Sequence, residues 1–337
     1  MAEQPLLSII ITSYTTERVG DIYELLDSIK AQTYSDIETI FVAERSVELL
    51  NKVRAYASEK DAFNLKVIFN DGEPGLSAAR NLGIKGAEGN IIAFVDDDAL
   101  LFPDCAGEMV KAYEDDTIIG VTGPAFPLWE DESMSWFPEE FYWILSCTAW
   151  SDRNEVKEVR NAWGMNMSFR REAFEKAGLF TSDFGLCNSK RGGWVDPPSE
   201  DVDLSLRVKE KTGKHIIYNP DAKVRHRVYN YRVRQKFIMQ RAYSVGYQRR
   251  MLKRLYTERD NGSDLLSQEH KLLKRIFTRL FPNIIKTFFT SPIIAWRKLR
   301  VTVTALTFVT LGYYSHLVPT LSNRRKLSAK FTAEGDD

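Results

Sequence analysis

The chain has 337 residues, 44 % of them hydrophobic, 12 % aromatic and 27 % charged, with 46 Lys or Arg against 46 Asp or Glu. That balance is ordinary for a folded protein and argues against wholesale disorder, and the length accommodates one large domain with an appendage or two modest domains. Neutrality hides a segregation: residues 223–300 hold 20 Lys or Arg against four acids, so the rest is acidic by the same excess of sixteen, and two different jobs are expected of the two parts.

The chain begins without a positive n-region, and Leu6–Ile11 is too short for a signal h-region, so it reads as a first strand. Asp21–Ala31 follows with Ile22, Leu25, Leu26 and Ile29 at helical spacing. Glu38–Ala43 is the next strand, Val47–Ser58 a helix, Leu65–Asn70 a strand, Leu76–Gly86 a helix and Ile91–Val95 a fourth strand. Repeated βα units predict a parallel sheet covered by helices. The fourth strand ends in Asp96-Asp97-Asp98. Three carboxylates cannot share a dry core, so they mark the exposed carboxyl edge of the sheet, where open α/β folds take ligands. Hard oxygens there suit Mg²⁺ or Mn²⁺, ions that bridge to phosphates; a solvated acidic turn is the other reading of the triplet alone.

From Thr122 to Gly193 the pattern loosens and fills with aromatics, among them Trp129, Trp136, Phe141, Trp143, Trp150 and Trp163. Rings of this kind serve a core, stack on a sugar or pack a lipid. Cys105, Cys147 and Cys187 show no CxxC spacing, which argues against a zinc site or disulfide framework and fits a reducing compartment. Helical periodicity resumes at Val202 and continues, very basic, from Tyr231 to Arg279. Val301–Asn323 contains no Asp, Glu, Lys or Arg, yet it is interrupted by Gly312 and Pro319 and flanked by cations on both sides. Positive flanks at both ends fit a segment lying in the membrane interface better than a simple span, with Ile284–Trp296 as its partner; a pair of ordinary buried helices is the alternative.

Four motifs in order carry a resemblance. Gly75-Leu76-Ser77-Ala78-Ala79-Arg80-Asn81 precedes Gly89-Asn90-Ile91-Ile92-Ala93-Phe94-Val95-Asp96-Asp97-Asp98; Gly164-Met165-Asn166-Met167-Ser168-Phe169-Arg170-Arg171 and Ser199-Glu200-Asp201-Val202-Asp203 follow, then Asn219-Pro220 with His226. Over about Leu7–Val228 the chain resembles family 2 glycosyltransferases, enzymes of the GT-A fold. The resemblance implies an α/β, Rossmann-like, mostly parallel sheet with flanking helices, to which the residues beyond it add a basic, partly apolar helical C-terminal region. It divides the chain into a catalytic unit over 1–228, with a nucleotide-sugar half to about 125 and an acceptor half over 126–228. A helical region over 229–337 follows, with a candidate membrane-interface segment at 282–323.

The same resemblance implies site residues. Asp98 would ligate Mg²⁺ or Mn²⁺ with Asp96 beside it, and Asp97 would reach the ribose or assist the metal. His226 sits where some relatives place a metal-bound histidine, although a partly exposed histidine without a metal reads equally well. Arg80 would face the nucleotide, expected to be a UDP-sugar. Asp201 is the base for the acceptor hydroxyl in an inverting transfer, and Glu200 orients the acceptor or a neighbouring arginine. Acids in a first turn also suit a helix N-terminus, with Ser199 as its cap, and Asp203 with Arg207 reads as a structural i,i+4 pair. Gly192-Gly193-Trp194 looks like a mobile loop of the kind that closes over a donor, with a simple connector as the alternative. The front departs from the family: Ser13-Tyr14-Thr15 replaces Pro-Thr-Tyr-Asn, and Ala43-Glu44-Arg45-Ser46 replaces Asp-Asp/Asn-Gly-Ser. Ser13 and Tyr14 are then the nucleotide contacts there, with Glu44 as the base-contacting carboxylate one position along.

The expected partners are the nucleotide-sugar donor, a glycan or lipid-linked acceptor and an anionic membrane surface on the cytoplasmic side. No nucleic-acid motif accompanies the basic run, so nucleic acid is not among them. Transfer to a soluble or polysaccharide acceptor is the runner-up. A processive synthase would need a Gln-x-x-Arg-Trp motif, and a sugar nucleotidyltransferase a Gly-rich loop near the first strand; the chain has neither. A catalytically inactive scaffold is the non-enzymatic rival.

Overall fold

The computed structural model describes residues 4–59, 64–148, 154–182, 199–256 and 267–315. The Gly192-Gly193-Trp194 loop, Trp150, Cys187 and the tail from 316 onward lie outside the described residues.

Strands and helices alternate as the apolar runs dictate: β1 (Leu7–Ser13), α1 (Val19–Lys30), β2 (Ile37–Glu44), α2 (Val47–Glu59), β3 (Leu65–Asn70), α3 (Leu76–Gly86) and β4 (Ile91–Asp96). β1, β2 and β4 are buried along almost their whole length, as parallel strands covered on both faces must be. The chain continues through β5 (Ala99–Leu101), α4 (Cys105–Lys111), β6 (Ile118–Thr122), β7 (Ala125–Trp129), β8 (Lys157–Glu158), β9 (Asn166–Arg170), α5 (Arg171–Ala177), α6 (Glu200–Thr212), β10 (His215–Tyr218) and β11 (Val224–Val228).

Eight strands form one sheet in the order β3-β2-β1-β4-β9-β6-β10-β8. It is parallel from β3 to β4 and between β6 and β10, while β9 runs antiparallel to both neighbours. Alternate residues of β1 serve opposite layers. Ile9 and Ile11 meet Leu25, Leu26 and Val53 on one face, and Ile10 meets Ala79, Phe94 and Leu204 on the other. A second sheet, β5-β11-β7, pairs β11 antiparallel to β5 and parallel to β7.

The rear half is helical: α7 (Gln235–Tyr256), α8 (Ser267–Arg275), α9 (Phe281–Thr290) and α10 (Pro292–Tyr313), with one π-helical turn, Ile276–Leu280, joining α8 to α9. α7 and α10 approach through glycines. A Cβ on Gly246 would lie 2.1 Å from the Val309 carbonyl oxygen, and one on Gly312 2.0 Å from that of Tyr243. Ile284 of α9 and Ala295, Val301 and Ala305 of α10 enter an apolar cluster with Phe137, Phe141, Leu145 and Val228. Among the described residues no helix is long and apolar enough to cross a membrane.

Candidate active site

Parallel pairing in register places the ends of β1, β2 and β4 on one edge: Thr12 lies opposite Asp96 and Ser13 opposite Ala43. Ser13 and Glu44 are buried there, while Tyr14 is exposed. Gly75, at φ 126°, turns the chain into α3 in a conformation that an L side chain rarely adopts. That turn aims the Gly75 N–H at Glu44 Oε1, 3.0 Å away. Burial pushes the Glu44 carboxyl up, and the Gly75 N–H and Arg45 oppose the rise.

Beyond β4, Asp97 and Asp98 form the turn into β5, and the pairing of β5 with β11 sets His226 opposite Ala99. His226 Nε2 thereby comes within 3.1 Å of Asp98 Oδ1 and 3.7 Å of Asp96 Oδ2. The other oxygens are already engaged. Arg232 donates to Asp98 Oδ2 at 2.8 Å, and Arg80 to Asp96 Oδ1 at 3.3 Å. Asp96, Asp98 and His226 offer three ligand atoms that all lie within 4.8 Å of one another. Two carboxylate oxygens and one imidazole nitrogen suit Mn²⁺, and Mg²⁺ on the oxygens alone.

The cluster's electrostatics follow from burial against pairing. Burial alone would raise the Asp98 carboxyl, but His226, Arg232 and Arg18 hold it well below the ordinary range. Burial likewise opposes ionisation of Asp96, and the His226 hydrogen bond and Arg80 bring it below its usual value. Burial pushes Asp97 up to about 6, with Arg18 opposing the shift and Asp98 adding to it. His226 is disfavoured as a cation by burial, yet the two aspartates lift its pKa well above the usual value. A cation entering this group would therefore displace a proton from His226.

Arg80 connects this group to the start of α6. It is 3 % exposed and packs near the rings of Phe94 and Phe180. Its guanidinium donates to Glu200 Oε1 at 2.8 Å and to the Gly164 carbonyl at 3.1 Å, besides Asp96. Glu200 thus holds the neighbouring arginine. Burial pushes its carboxyl up to about 7, Arg80 opposes this, and Asp201 reinforces it. Asp201 is half-buried; its Oδ2 accepts the Gly164 N–H at 3.1 Å and its Oδ1 the N–H of Val202 at 2.8 Å. Two adjacent carboxylates at the head of α6 thus stand across Arg80 from the three-ligand group. Ser199 occupies the N-cap position of α6 but does not cap it; its hydroxyl instead donates to Gln248 on α7. Asp203 is structural, as expected, accepting from Arg207, Thr181 and the Tyr256 hydroxyl.

Two residues went unread in the sequence. Arg18 donates to Asp97 at 2.7 Å and lies 3.4 Å from Asp98 Oδ2, and Arg232 reaches both Asp98 and the Leu145 carbonyl. Arg18 follows the first strand without a motif, and Arg232 is one cation in a run of many; only the contact shows their use. A hollow of about 770 Å³ bordered by Tyr34, Asn90, Lys111 and Arg170 lies at the opposite, amino edge of the sheet, away from every one of these groups.

Three kinds of likeness accompany this geometry. A model of glycosyl transferase family 2 matches residues 8–178. A glucosyl-dolichyl phosphate glucuronosyltransferase of Haloferax volcanii is 30 % identical over 253 residues, which are 75 % of this chain and 79 % of that protein. EpsJ of Bacillus subtilis, an uncharacterized glycosyltransferase, is 31 % identical over 179 residues, 52 % of this chain and 51 % of that protein. Among solved structures, the mannosyltransferase PcManGT from Pyrobaculum calidifontis, in complex with GDP-Man and Mn²⁺, aligns at a TM-score of 0.63 and 18 % identity. That match covers 94 % of this chain and 88 % of the other. GalNAc-T7 with UDP, GalNAc and Mn²⁺ aligns at 0.51 and 14 % identity, covering 81 % and 55 % of the two chains. The structural likenesses are those of fold, and the fold is GT-A.

Proposed function

The chain belongs to glycosyl transferase family 2 and is a glycosyltransferase, and we propose that it transfers a sugar, with inversion, from a UDP-sugar to a hydroxyl of a lipid-linked glycan. The observation that carries this reading is the convergence of Asp96 Oδ2, Asp98 Oδ1 and His226 Nε2, with Glu200 and Asp201 across Arg80 from them. A nucleoside diphosphate leaves with developing negative charge, and Mn²⁺ or Mg²⁺ held by that triad would supply the neutralisation. Arg80 holds Asp96 by Oδ1, and Arg232 with Arg18 holds Asp98 by Oδ2, so that the remaining oxygens face His226 Nε2.

In this reading Asp201 takes the proton of the acceptor hydroxyl as its oxygen attacks the anomeric carbon. The bond from that carbon to the diphosphate oxygen breaks, and one displacement inverts the centre. Two backbone N–H groups fix the Asp201 carboxylate, an orientation that favours a defined approach of the acceptor. Ser13, Tyr14, Glu44 and Asp97 border the same sheet edge and are proposed to receive the nucleotide. The Haloferax volcanii relative is named for glucosyl-dolichyl phosphate and glucuronosyl transfer. It supports a sugar on a polyprenyl phosphate as acceptor, a uronic acid as the transferred unit, and work at a membrane surface.

The test is calorimetric titration with UDP and GDP, with and without Mn²⁺, followed by transfer from UDP-glucuronate to a synthetic glucosyl polyprenyl phosphate. UDP binding that tightens by about tenfold or more with Mn²⁺, and loses that gain in Asp98→Ala, is expected. The absence of nucleotide binding under any metal condition would sink the reading. Transfer to free glucosides but not to the lipid-linked one would reassign the acceptor.

A further inference from the structure

We propose that the corner where α9 meets α10 is the surface by which this protein seats on an anionic lipid bilayer; the proposal rests on the lipid-linked acceptor of the preceding reading. Ile285 lies three and four residues before Phe288 and Phe289 on α9, Ile293 lies three before Trp296 on α10, and all five are exposed; Phe289 is 83 % exposed and Ile293 70 %. Spacing of this kind lines one side of a helix. Elsewhere such a side packs inward. Here α9 and α10 place Ile284, Ala295 and Val301 in the apolar cluster and leave the larger aromatic residues outside it. Among the described residues, folding has thus satisfied one face of the pair and left a second apolar face uncovered.

Charge identifies the occupant. From His270 to Ala333 the sequence contains no acidic residue. Lys286, Arg297 and Arg300 are exposed beside the apolar side chains, and Lys274 and Arg279 extend the belt along the turn that leads into α9. A protein partner would have to match a surface carrying one sign of charge only, and a second copy pairing through this same face would bring cations against cations. An anionic bilayer offers acyl chains to Phe288, Phe289 and Trp296 and phosphates to the surrounding Lys and Arg in one plane. Since none of the described helices can span, the seat is interfacial.

The position also suits the reaction. The cluster that anchors α9 and α10 includes Leu145 and Cys147, and Leu145 accepts from Arg232, the partner of Asp98. The bilayer seat and the rim of the carboxylate group are thereby parts of one packed unit.

The full chain is floated with vesicles of phosphatidylcholine alone or with roughly 30 % phosphatidylglycerol, alongside Phe288→Ser/Phe289→Ser and Lys286→Glu/Arg300→Glu, with Mn²⁺-dependent UDP binding measured on each. Both variants alter exposed side chains, so folding and UDP binding are expected to persist. Wild type is expected to float with the anionic vesicles, and each variant to partition about tenfold less or worse. Wild-type flotation by both variants overturns the proposal, as does a wild type that ignores anionic vesicles. It is overturned equally if the aromatic variant changes only the oligomeric state by light scattering, or only RNA retention, which would give the face to a second copy or to RNA. Patch-dependent flotation without any UDP binding would uphold the seat while the substrate reading fails.

Discussion

Asp98 divides its two oxygens between two tasks. Arg232 and Arg18 approach Oδ2, while Oδ1 faces His226 and Asp96. Removing Arg232 leaves a buried carboxylate with less compensation, a change that costs about 3–5 kcal/mol when a buried pair loses a partner. Because His226 and Arg18 remain, Arg232→Ala is expected to fall at the lower end in urea unfolding, and a wild-type midpoint would deny the arginine that role. Asp201→Asn should keep UDP binding and lose turnover by orders of magnitude; turnover like that of wild type would end its assignment as the base. Glu200 gives a pH signature. Its folded carboxyl titrates at about 7, above the usual 4.5, so the native state binds the extra proton between those values. The stability linked to that proton is complete at low pH and is lost as pH rises through 7. Glu200→Gln mimics the protonated form. It should match wild type near pH 5 and exceed it by roughly 2–3 kcal/mol at pH 8. Unfolding curves whose difference does not grow with pH would contradict this. The proposed site residues Asp96, Asp98, Asp201 and His226 were legible because motifs carry them. Arg18 and Arg232 were not, because each meets its carboxylate only through the fold.

At the scale of elements, what could be read depended on how local the signal was. Seven successive elements from β1 to β4 lie within a residue or two of their apolar runs, since Ile9–Ile11, Phe41–Ala43 and Ile91–Val95 bury on both sides of a parallel sheet. The sheet of β5, β11 and β7 was invisible. Ala99–Leu101 is three residues long, and Val224–Val228 holds three consecutive polar residues, Arg225, His226 and Arg227, between its two valines. Its pairing spans distant segments that no periodicity reports, and it is this pairing that delivers His226. The crossing of α7 and α10 gives an element-scale test. Gly246→Ala drives a methyl against the Val309 carbonyl, where backbone must move; overpacking of this kind costs about 1–3 kcal/mol. Gly20, near the start of α1, has nothing within 4 Å of an added Cβ, so Gly20→Ala should stabilise by about 0.5–1 kcal/mol through helix propensity and the unfolded chain. Equal effects of the two substitutions in urea titrations would mean that the crossing tolerates separation.

At the scale of the whole molecule, the segregated charge and the shared core pull in different directions. An acidic front and a basic rear suggest two independent units, yet the apolar cluster crosses between them. Ile284 and Val301 pack with Phe137, Phe141 and Val228, and Trp136 lies under the Arg297 guanidinium. Tyr256, at the end of α7, donates to Asp203 of α6. Cutting the chain before Pro282 therefore does more than remove a bilayer seat. It uncovers Phe137, Phe141 and Leu145 beside the Arg232 that holds Asp98. Each large side chain that leaves the core takes about 1.5–3 kcal/mol with it. At about 2–4 °C per kcal/mol the melting temperature should fall by roughly 10 °C or more. Mn²⁺-dependent UDP binding should weaken in the same truncation, because Leu145, whose carbonyl accepts from Arg232, loses its packing. Calorimetry on the 1–281 chain separates the possibilities. A melting temperature and metal response equal to those of the full chain would make the rear helices a detachable appendage. Joint loss of both would mean that the helices carrying the bilayer seat also brace the carboxylates of the site.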